Sequence, residues 1–558
     1  MSVFIQVAFA GHNRPQDLGD ASVAREGLDR AFAQLREAGF EHGRLFCGLA
    51  AGADTLAVER WRQHALGPVH LVLPFLDDAQ CPEPPETVGD LVTRLDGAAA
   101  EAEGRNPHLQ QTRLIVEAAD IVVVVWNGAA AKGAGGTADA VLYALELARP
   151  VLWVDPAHGG RVKLIQPEPL PIDFHFLEFL EGLAGPNLPP HLVEATPEAL
   201  RAAVGVTTVH HAHAEHDEAR ATRPFDAFLH RYAWRTYAIF RRFVGGKITS
   251  ASAPDVETPA SLKEQPGFAI LTRAYHRWDR VANRLSAVHR SEQLLLVLAM
   301  VAAALIGSAW AIWPDFKLTA VWIEMILSVG ALLVWASASD TQQHERWSQA
   351  RFLAEQLRVA RAGWALGLSI DCADPGAPPE RFREERDVRR AAGLPAGEFD
   401  SQRVSEWGRW AMNELIQGQA AYHYGSGLRD GRIAHRIHQI EDASFVCLFV
   451  VFAGYLSVHF TPLAEKLPHW TVGLVSVVGT TMPAIGASTM ALDAKLEFQE
   501  QSARSRAIAH TLESLAGALG AHPTFDSMRH AARVAMRLHI GEANHWREGS
   551  NRRRLFRP

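Results

Sequence analysis

Two kinds of apolar pattern divide the chain. Over the first 200 residues short apolar runs alternate with amphipathic stretches, as in an open α/β sheet. Strands are expected at 3–10, 45–47, 69–73, 121–125 and 151–154, and helices at 21–38, 55–64, 112–118 and 137–148. The run Ile121-Val122-Val123-Val124-Val125 lacks polar alternation, the mark of a strand buried on both faces. In 21–38, Val23, Leu28, Phe32 and Leu35 share one side of a helix. The opening MSVFIQVAFAGHNRP has no basic region before its apolar run and reads as a buried strand, not a leader.

The second pattern is longer. Residues 294–313 carry no charge and, at about 1.5 Å per residue, match a roughly 30 Å hydrocarbon core. Residues 318–339 follow with a single acid, Glu324; 443–460 form a shorter third segment, and 469–492 a fourth, interrupted by Pro483. Four membrane spans are expected. Arginines crowd the outer flanks of each pair: Arg277, Arg280, Arg284 and Arg290 before the first, Arg346, Arg351, Arg358 and Arg361 after the second. Arg429, Arg432 and Arg436 precede the third, and Lys495, Arg504 and Arg506 follow the fourth. The loops inside each pair are nearly free of basic residues, so the positive-inside rule places both loops outside and both termini in the cytoplasm.

The two hairpins resemble copies of one unit about 150 residues apart, with Arg351, Ala354 and Leu357 matched by Arg506, Ala509 and Leu512. The expected organisation is a sheet domain (1–200), a linker (201–260), a first two-span unit (261–365), a helical connector (366–425), a second two-span unit (426–520) and a cytoplasmic tail (521–558). Within the connector, 380–390 is charge-dense and reads as solvated, and 407–424 as a packed helix; 371–379 is a loop.

Composition excludes several classes. Apolar residues at 48% and charged at 21% are those of a globular mixture, and a net charge of −7 offers no field for nucleic acid. Cys47, Cys81, Cys372 and Cys447 lack the spacing of a disulfide framework or zinc ribbon. His210, His211, His213 and His216 fall in the linker without ligand spacing, so no metal is expected.

Open α/β sheets bind ligands at the carboxyl ends of their strands. Here those loops hold Gly11, His12, Asn13 and Arg14; Gly48, Ala51, Gly52 and Asp54; Pro74; and Trp126 and Asn127 with Gly135, Gly136 and Thr137. Small residues let a phosphate approach backbone N–H groups at a helix start. Arg14 suits a phosphate or ribose, and Trp126 a base. The plainer alternatives stay open: tight turns for Gly52 and Gly136, a surface ion pair for Arg14, core for Trp126.

These loops (AFAGHNRP, GLAAGADTLAVE, VLPF, ADIVVVVW and GAGGTADAV) resemble the SLOG superfamily, which includes the lonely-guy phosphoribohydrolases and DprA-like proteins. The resemblance covers about the first 155 residues. It implies a Rossmann-like parallel sheet that binds or cleaves a nucleotide derivative. The lonely-guy pattern P-G-G-x-G-T-x-x-E has its glutamate where this chain has Ala140, beside Asp139. That departure favours a sensor; an enzyme would have to rely on Asp139, Asp54 and Arg14.

The arginine-rich stretch 277–290, the first hairpin and the exit segment ERWSQARFLAE resemble SLATT two-span effectors. The pairing implies a nucleotide-gated effector of bacterial anti-phage or stress defence in the inner membrane. It implies an α/β domain joined to an all-α transmembrane bundle that forms a pore or disrupts the membrane, with lipid and a nucleotide-derived signal as partners; a homo-oligomer is expected because four helices per chain enclose little pore. Glu324, Ser476 and Thr480 are the pore candidates; outer-interface snorkelling and helix packing are their plainer roles. A membrane-anchored nucleotide or NAD hydrolase, and a scaffold for a protein partner, are the alternatives.

Overall fold

The computed structural model describes residues 4–12, 20–77, 85–131, 133–165, 192–205, 235–245, 256–340, 343–369, 383–462, 467–468, 470–520 and 523–552. Asn13, Arg14, the histidine-rich stretch 209–218 and the loop 371–379 lie outside the described residues. The chain runs β1 (Phe4–Gly11), α1 (Ala21–Glu37), β2 (His42–Cys47), α2 (Ala53–Gln63), β3 (Val69–Leu73), α3 (Pro85–Val88), β4 (Leu91–Leu95), α4 (Gly97–Ala102) and α5 (Pro107–Ala118). It continues through β5 (Ile121–Val125), α6 (Thr137–Glu146), β6 (Val151–Asp155), β7 (Arg161–Ile165), β8 (Leu192–Glu194) and α7 (Pro197–Val204). The helical half comprises α8 (Thr236–Gly245), α9 (Ala260–Lys263), α10 (Pro266–Ala309), α11 (Lys317–Asp340), α12 (Gln343–Trp364) and α13 (Arg383–Ala392). A strand, β9 (Gly397–Phe399), precedes α14 (Ser401–Met412), α15 (Gly418–His459), α16 (Trp470–Leu496), α17 (Phe498–Leu519) and α18 (Phe525–Arg552).

The sheet has nine strands in the order β8-β7-β6-β5-β1-β2-β3-β4-β9. All neighbours from β6 to β9 are parallel; β7 and β8 add antiparallel strands at the other edge. The chain leaves β1 towards β2, β3 and β4, then returns to β5 on the opposite side. This Rossmann-like order opens a crevice between β1 and β5, at the switch point where α/β sheets hold ligands. β3, β5 and β6 are buried along their whole length, as continuous apolar runs require.

One face of the sheet is covered by α1, α2 and α7. α1 begins on Asp20, whose carboxylate accepts from Ser22 N–H at 2.8 Å, and buries Leu28, Phe32 and Leu35. The other face is shared. Val122 and Val124 belong to the same core as Phe268 of α10, Trp364 of α12, Trp407 and Trp410 of α14 and Met536 of α18. Sheet and helical bundle are thus built around one apolar core.

Two expectations for the connector are corrected. It is not wholly helical, because β9 extends the sheet, pairing Thr93 with Gly397 and Leu95 with Phe399. Its charged stretch is solvated only in part: Glu384 and Asp387 are exposed, but Glu385, Arg389 and Arg390 of α13 are buried. Arg389 donates to Gln6 Oε1 at 2.9 Å and to the Ala118 carbonyl at 3.1 Å, while Arg390 Nε reaches Asp120 Oδ2 at 2.9 Å. The charges serve a polar contact with the sheet, invisible to a local hydropathy pattern.

Among the described residues four helices are long and apolar enough to cross a membrane, with apolar stretches in α10, α11, α15 and α16. Only 6–28% of each stretch is buried inside the chain, and Leu318, Ile326, Val446 and Phe449 face outward. Surfaces of that kind belong in lipid or against other copies, so the chain has the make-up of a membrane protein. α10 holds 44 residues and is about 66 Å long, more than twice the hydrocarbon thickness. Both hairpins lead to exit helices of 22 residues, α12 and α17. Ala354 and Leu357 in one, and Ala509 and Leu512 in the other, are all buried.

Candidate functional site

The crevice is built from the ends of β1 and β5 and the start of α2. Gly11 pairs with Val125, and a Cβ on Gly11 would lie 2.4 Å from that of Ala53. Only glycine lets α2 approach so closely. The next residue, His12, ties all three elements: its carbonyl accepts from Ala53 N–H at 3.1 Å, and its Nε2 accepts from Asn127 N–H at 3.2 Å. Gly11, His12, Gly52 and Asn127 are therefore brought together.

The loop after β2 is braced from within. Gly52 has φ +97°, a conformation that side chains resist. Asp54 Oδ2 accepts from Ala50 N–H at 3.0 Å, and Thr55 Oγ1 donates to the Ala50 carbonyl at 3.3 Å. Ala51 at the tip is exposed. Burial pushes the Asp54 carboxyl up to about 7, partly offset by the Ala50 N–H. Burial, with the Asp54 charge, likewise raises the neighbouring Cys47 thiol. Gly48 packs on Gln111 of α5, whose amide donates to the Val72 carbonyl at 2.7 Å and so ties β2 to β3.

The glycine loop after β5 is also closed on itself. Asp139 Oδ2 accepts from Gly135 N–H at 2.7 Å, and Thr112 Oγ1 donates to the Gly135 carbonyl at 3.0 Å. Gly135 has φ +85° and sits against the backbone of His108, leaving no room for a Cβ. Thr137 is buried behind it, and Ala140, at the position of the glutamate in the lonely-guy pattern, is wholly buried.

Several candidates hold other positions. Trp126 is buried in the core, its indole donating to Ala129 O at 2.8 Å while its own carbonyl accepts from Trp153 Nε1 at 2.7 Å. It cannot stack on a base, and the core alternative holds. Pro74 lies by Gly97 at the end of β3, with Phe75 edge-on to His108. Asp54 and Asp139 each secure a loop N–H, so their spacing marks turn chemistry. His108, Gln111 and Thr112 were missed because α5 lies between loops and carries no glycine signature.

What remains open is backbone. α2 and α6 start on Gly52 and Gly136, and neither helix is capped by a side-chain hydrogen bond. By contrast α1, α4, α5 and α7 are capped by Asp20, Asp96, Asn106 and Thr196. Beyond Ala53 N–H, which the His12 carbonyl takes, the first-turn N–H groups of these two helices lack a side-chain acceptor, which suits an anionic oxygen.

In the membrane half, the Glu324 carboxylate packs on Gly307 of α10, where an added Cβ would lie 2.6 Å from Oε2. Ser476 and Thr480 are exposed on α16, and their hydroxyls bond back to the Val472 and Ser476 carbonyls. Gly473 of the same helix packs against Ala311 and Ile312 in the turn after α10, and Gly486 against α15.

No family model matches the chain, and neither a curated protein nor a solved structure matches it.

Proposed function

We propose that the chain is a nucleotide-gated membrane effector, in which the switch-point crevice senses a phosphate-bearing nucleotide derivative and the helical bundle permeabilises the membrane. The single observation that carries this reading is the shared core. The strand and helix between the two hairpins, β9 and α13, are part of the sheet assembly, so rearrangement at the crevice has a packed route to the spans. A ligand that binds one arrangement more tightly than another shifts the bundle by that difference in affinity.

The SLOG and SLATT resemblances support a bacterial inner-membrane effector acting in anti-phage or stress defence, with cytoplasmic termini and several copies around a pore. Four spans per chain enclose little space alone. The hydrolase alternative draws no support from the loops, since Asp54 and Asp139 are committed to loop N–H groups.

The test is dye release from liposomes carrying the purified protein, with a nucleotide panel and extract of infected cells. Leakage that requires a nucleotide and disappears in His12→Ala and Gly52→Trp is the expected result, with circular dichroism confirming that both variants fold. Cleaved nucleotide without leakage would replace the effector by the tethered hydrolase.

A further inference from the structure

Beneath the spans, α8, α10, α12, α15, α17 and α18 surround a cavity of about 370 Å³. Five arginines line it, Arg241, Arg290, Arg351, Arg358 and Arg504, against three carboxyl groups, Glu355, Asp430 and Glu542. Arg290 lies one helical turn before the apolar stretch of α10 begins, about 6 Å along the axis. The cavity shares no residue with the sheet-edge crevice.

The charges do not cancel locally. Glu355 is taken by two cations, Arg351 and Arg358, and Arg358 also donates to the Glu414 carbonyl at 3.0 Å. Arg290 lies over the rings of Tyr237 and Trp347, 5.1 and 5.4 Å from their centroids. The buried Nε of Arg241 has no hydrogen-bond partner, and the charge of Arg504 is felt at Glu542 among the cavity's carboxyl groups. Glu542 contributes only part of a negative charge near neutral pH. Burial and the nearby Glu355 raise its carboxyl to about 7 despite Arg351 and Arg358. Burial and Arg358 push His539 down to about 3, leaving it neutral as a hydrogen-bonding group.

An excess of at least two positive charges in a part-enclosed cavity with aromatic walls calls for a polyanion. We infer that this cavity binds a phosphate-bearing anion of charge two or more, with Arg241, Arg290 and Arg504 as the groups that receive it. Guanidinium forks match phosphoryl oxygens in geometry, and the volume fits a small phosphorylated molecule or a phospholipid headgroup reaching down from the bilayer. Both sources present the same phosphoryl chemistry.

The experiment uses the full chain in nanodiscs. Discs of phosphatidylcholine alone are titrated with inorganic pyrophosphate by calorimetry, and thermal unfolding is compared with discs containing phosphatidic acid. Saturable pyrophosphate binding, or stabilisation by phosphatidic acid, is expected to weaken about tenfold or more in Arg504→Ala and Arg290→Ala. It should persist in the exposed Arg277→Ala and in Gly52→Trp, which keeps the outcome separate from that of the crevice. A response to pyrophosphate alone identifies a soluble ligand, and one to phosphatidic acid alone a lipid headgroup. No response to either, or one indifferent to both Arg504→Ala and Arg290→Ala, overturns the inference. So does zinc binding through His423, His539 and Glu542 without any anion response.

Discussion

Asp120, at the entry to the central strand β5, accepts a hydrogen bond from Arg390, 270 residues later in the segment between the two membrane hairpins. The same Oδ2 accepts from Gln6 N–H at 2.9 Å, and Arg389 lies 3.4 Å from Oδ1. Asp387, 3.1 Å from Arg390, completes a polar seam through which the helical half grips the sheet. Such buried networks are costly to break on one side only, because the partner left behind is still desolvated.

Arg390→Ala should therefore destabilise the chain by roughly 3–5 kcal/mol, read by chemical denaturation in detergent. Burial alone would raise Asp120, but Arg390, Arg389 and Arg386 outweigh it and hold the carboxyl at about 2. Because the folded value lies below the unfolded one, near 3.9, this stabilisation is present above about pH 4 and is lost as pH falls through 2. Asp120→Asn should lose no stability in that window beyond what other groups impose, and an acid titration of both proteins compares them directly.

Asp54 gives the opposite sign. Its carboxyl is raised to about 7, so its contribution is full below about pH 4 and is lost as pH rises through 7. Asn at this position keeps an acceptor for Ala50 N–H but has no charge to bury. Between pH 5 and 8 the stability of the wild type relative to Asp54→Asn, read from thermal unfolding, should fall by an amount on the order of a few kcal/mol at most. Parallel curves would mean that Asp54 titrates like an exposed acid.

The crevice can be probed with two glycines. Gly11→Ala sets a methyl 2.4 Å from the Ala53 Cβ, and α2 cannot retreat without breaking the bond from Ala53 N–H to His12. A cost of about 1–3 kcal/mol and weaker nucleotide binding are expected. Gly133→Ala is the control, since nothing lies within 4 Å of its added Cβ. If nucleotide binding responds equally to both, the ligand does not sit between β1 and α2.

Much of this architecture was legible locally. Val122 and Val124 announce a buried strand by lacking polar neighbours, and the four spans by length without charge. Gly11 and Gly52 mark the carboxyl ends of strands, and the strand order puts the switch point beside Gly11. Long-range contacts were not legible. β9 is three residues long, and Gly397-Glu398-Phe399 has no strand signal until β4 offers it an edge. Arg389 and Arg390 look solvated until Asp120 and Gln6 are placed opposite them. Trp126 read as ligand-facing because it follows a strand, yet its indole turns inward to Ala129.

The fourth span separates packing from permeation. Gly473 faces the turn that follows α10 so closely that an added Cβ would lie 2.3 Å from the Ala311 carbonyl oxygen. Gly473→Leu should therefore split α16 from α10, lowering thermal stability and yield from the membrane. Ser476 and Thr480 point away from the rest of the chain, with their hydroxyls already satisfied within the helix. Thr480→Leu should leave stability within about 0.5 kcal/mol of wild type, as outward substitutions do. If copies assemble with this face of α16 around a pore, the same variant reduces nucleotide-triggered dye release several-fold. Unchanged release at equal protein density would place this face in lipid and shift the search for the conducting path to the contact between Glu324 and Gly307.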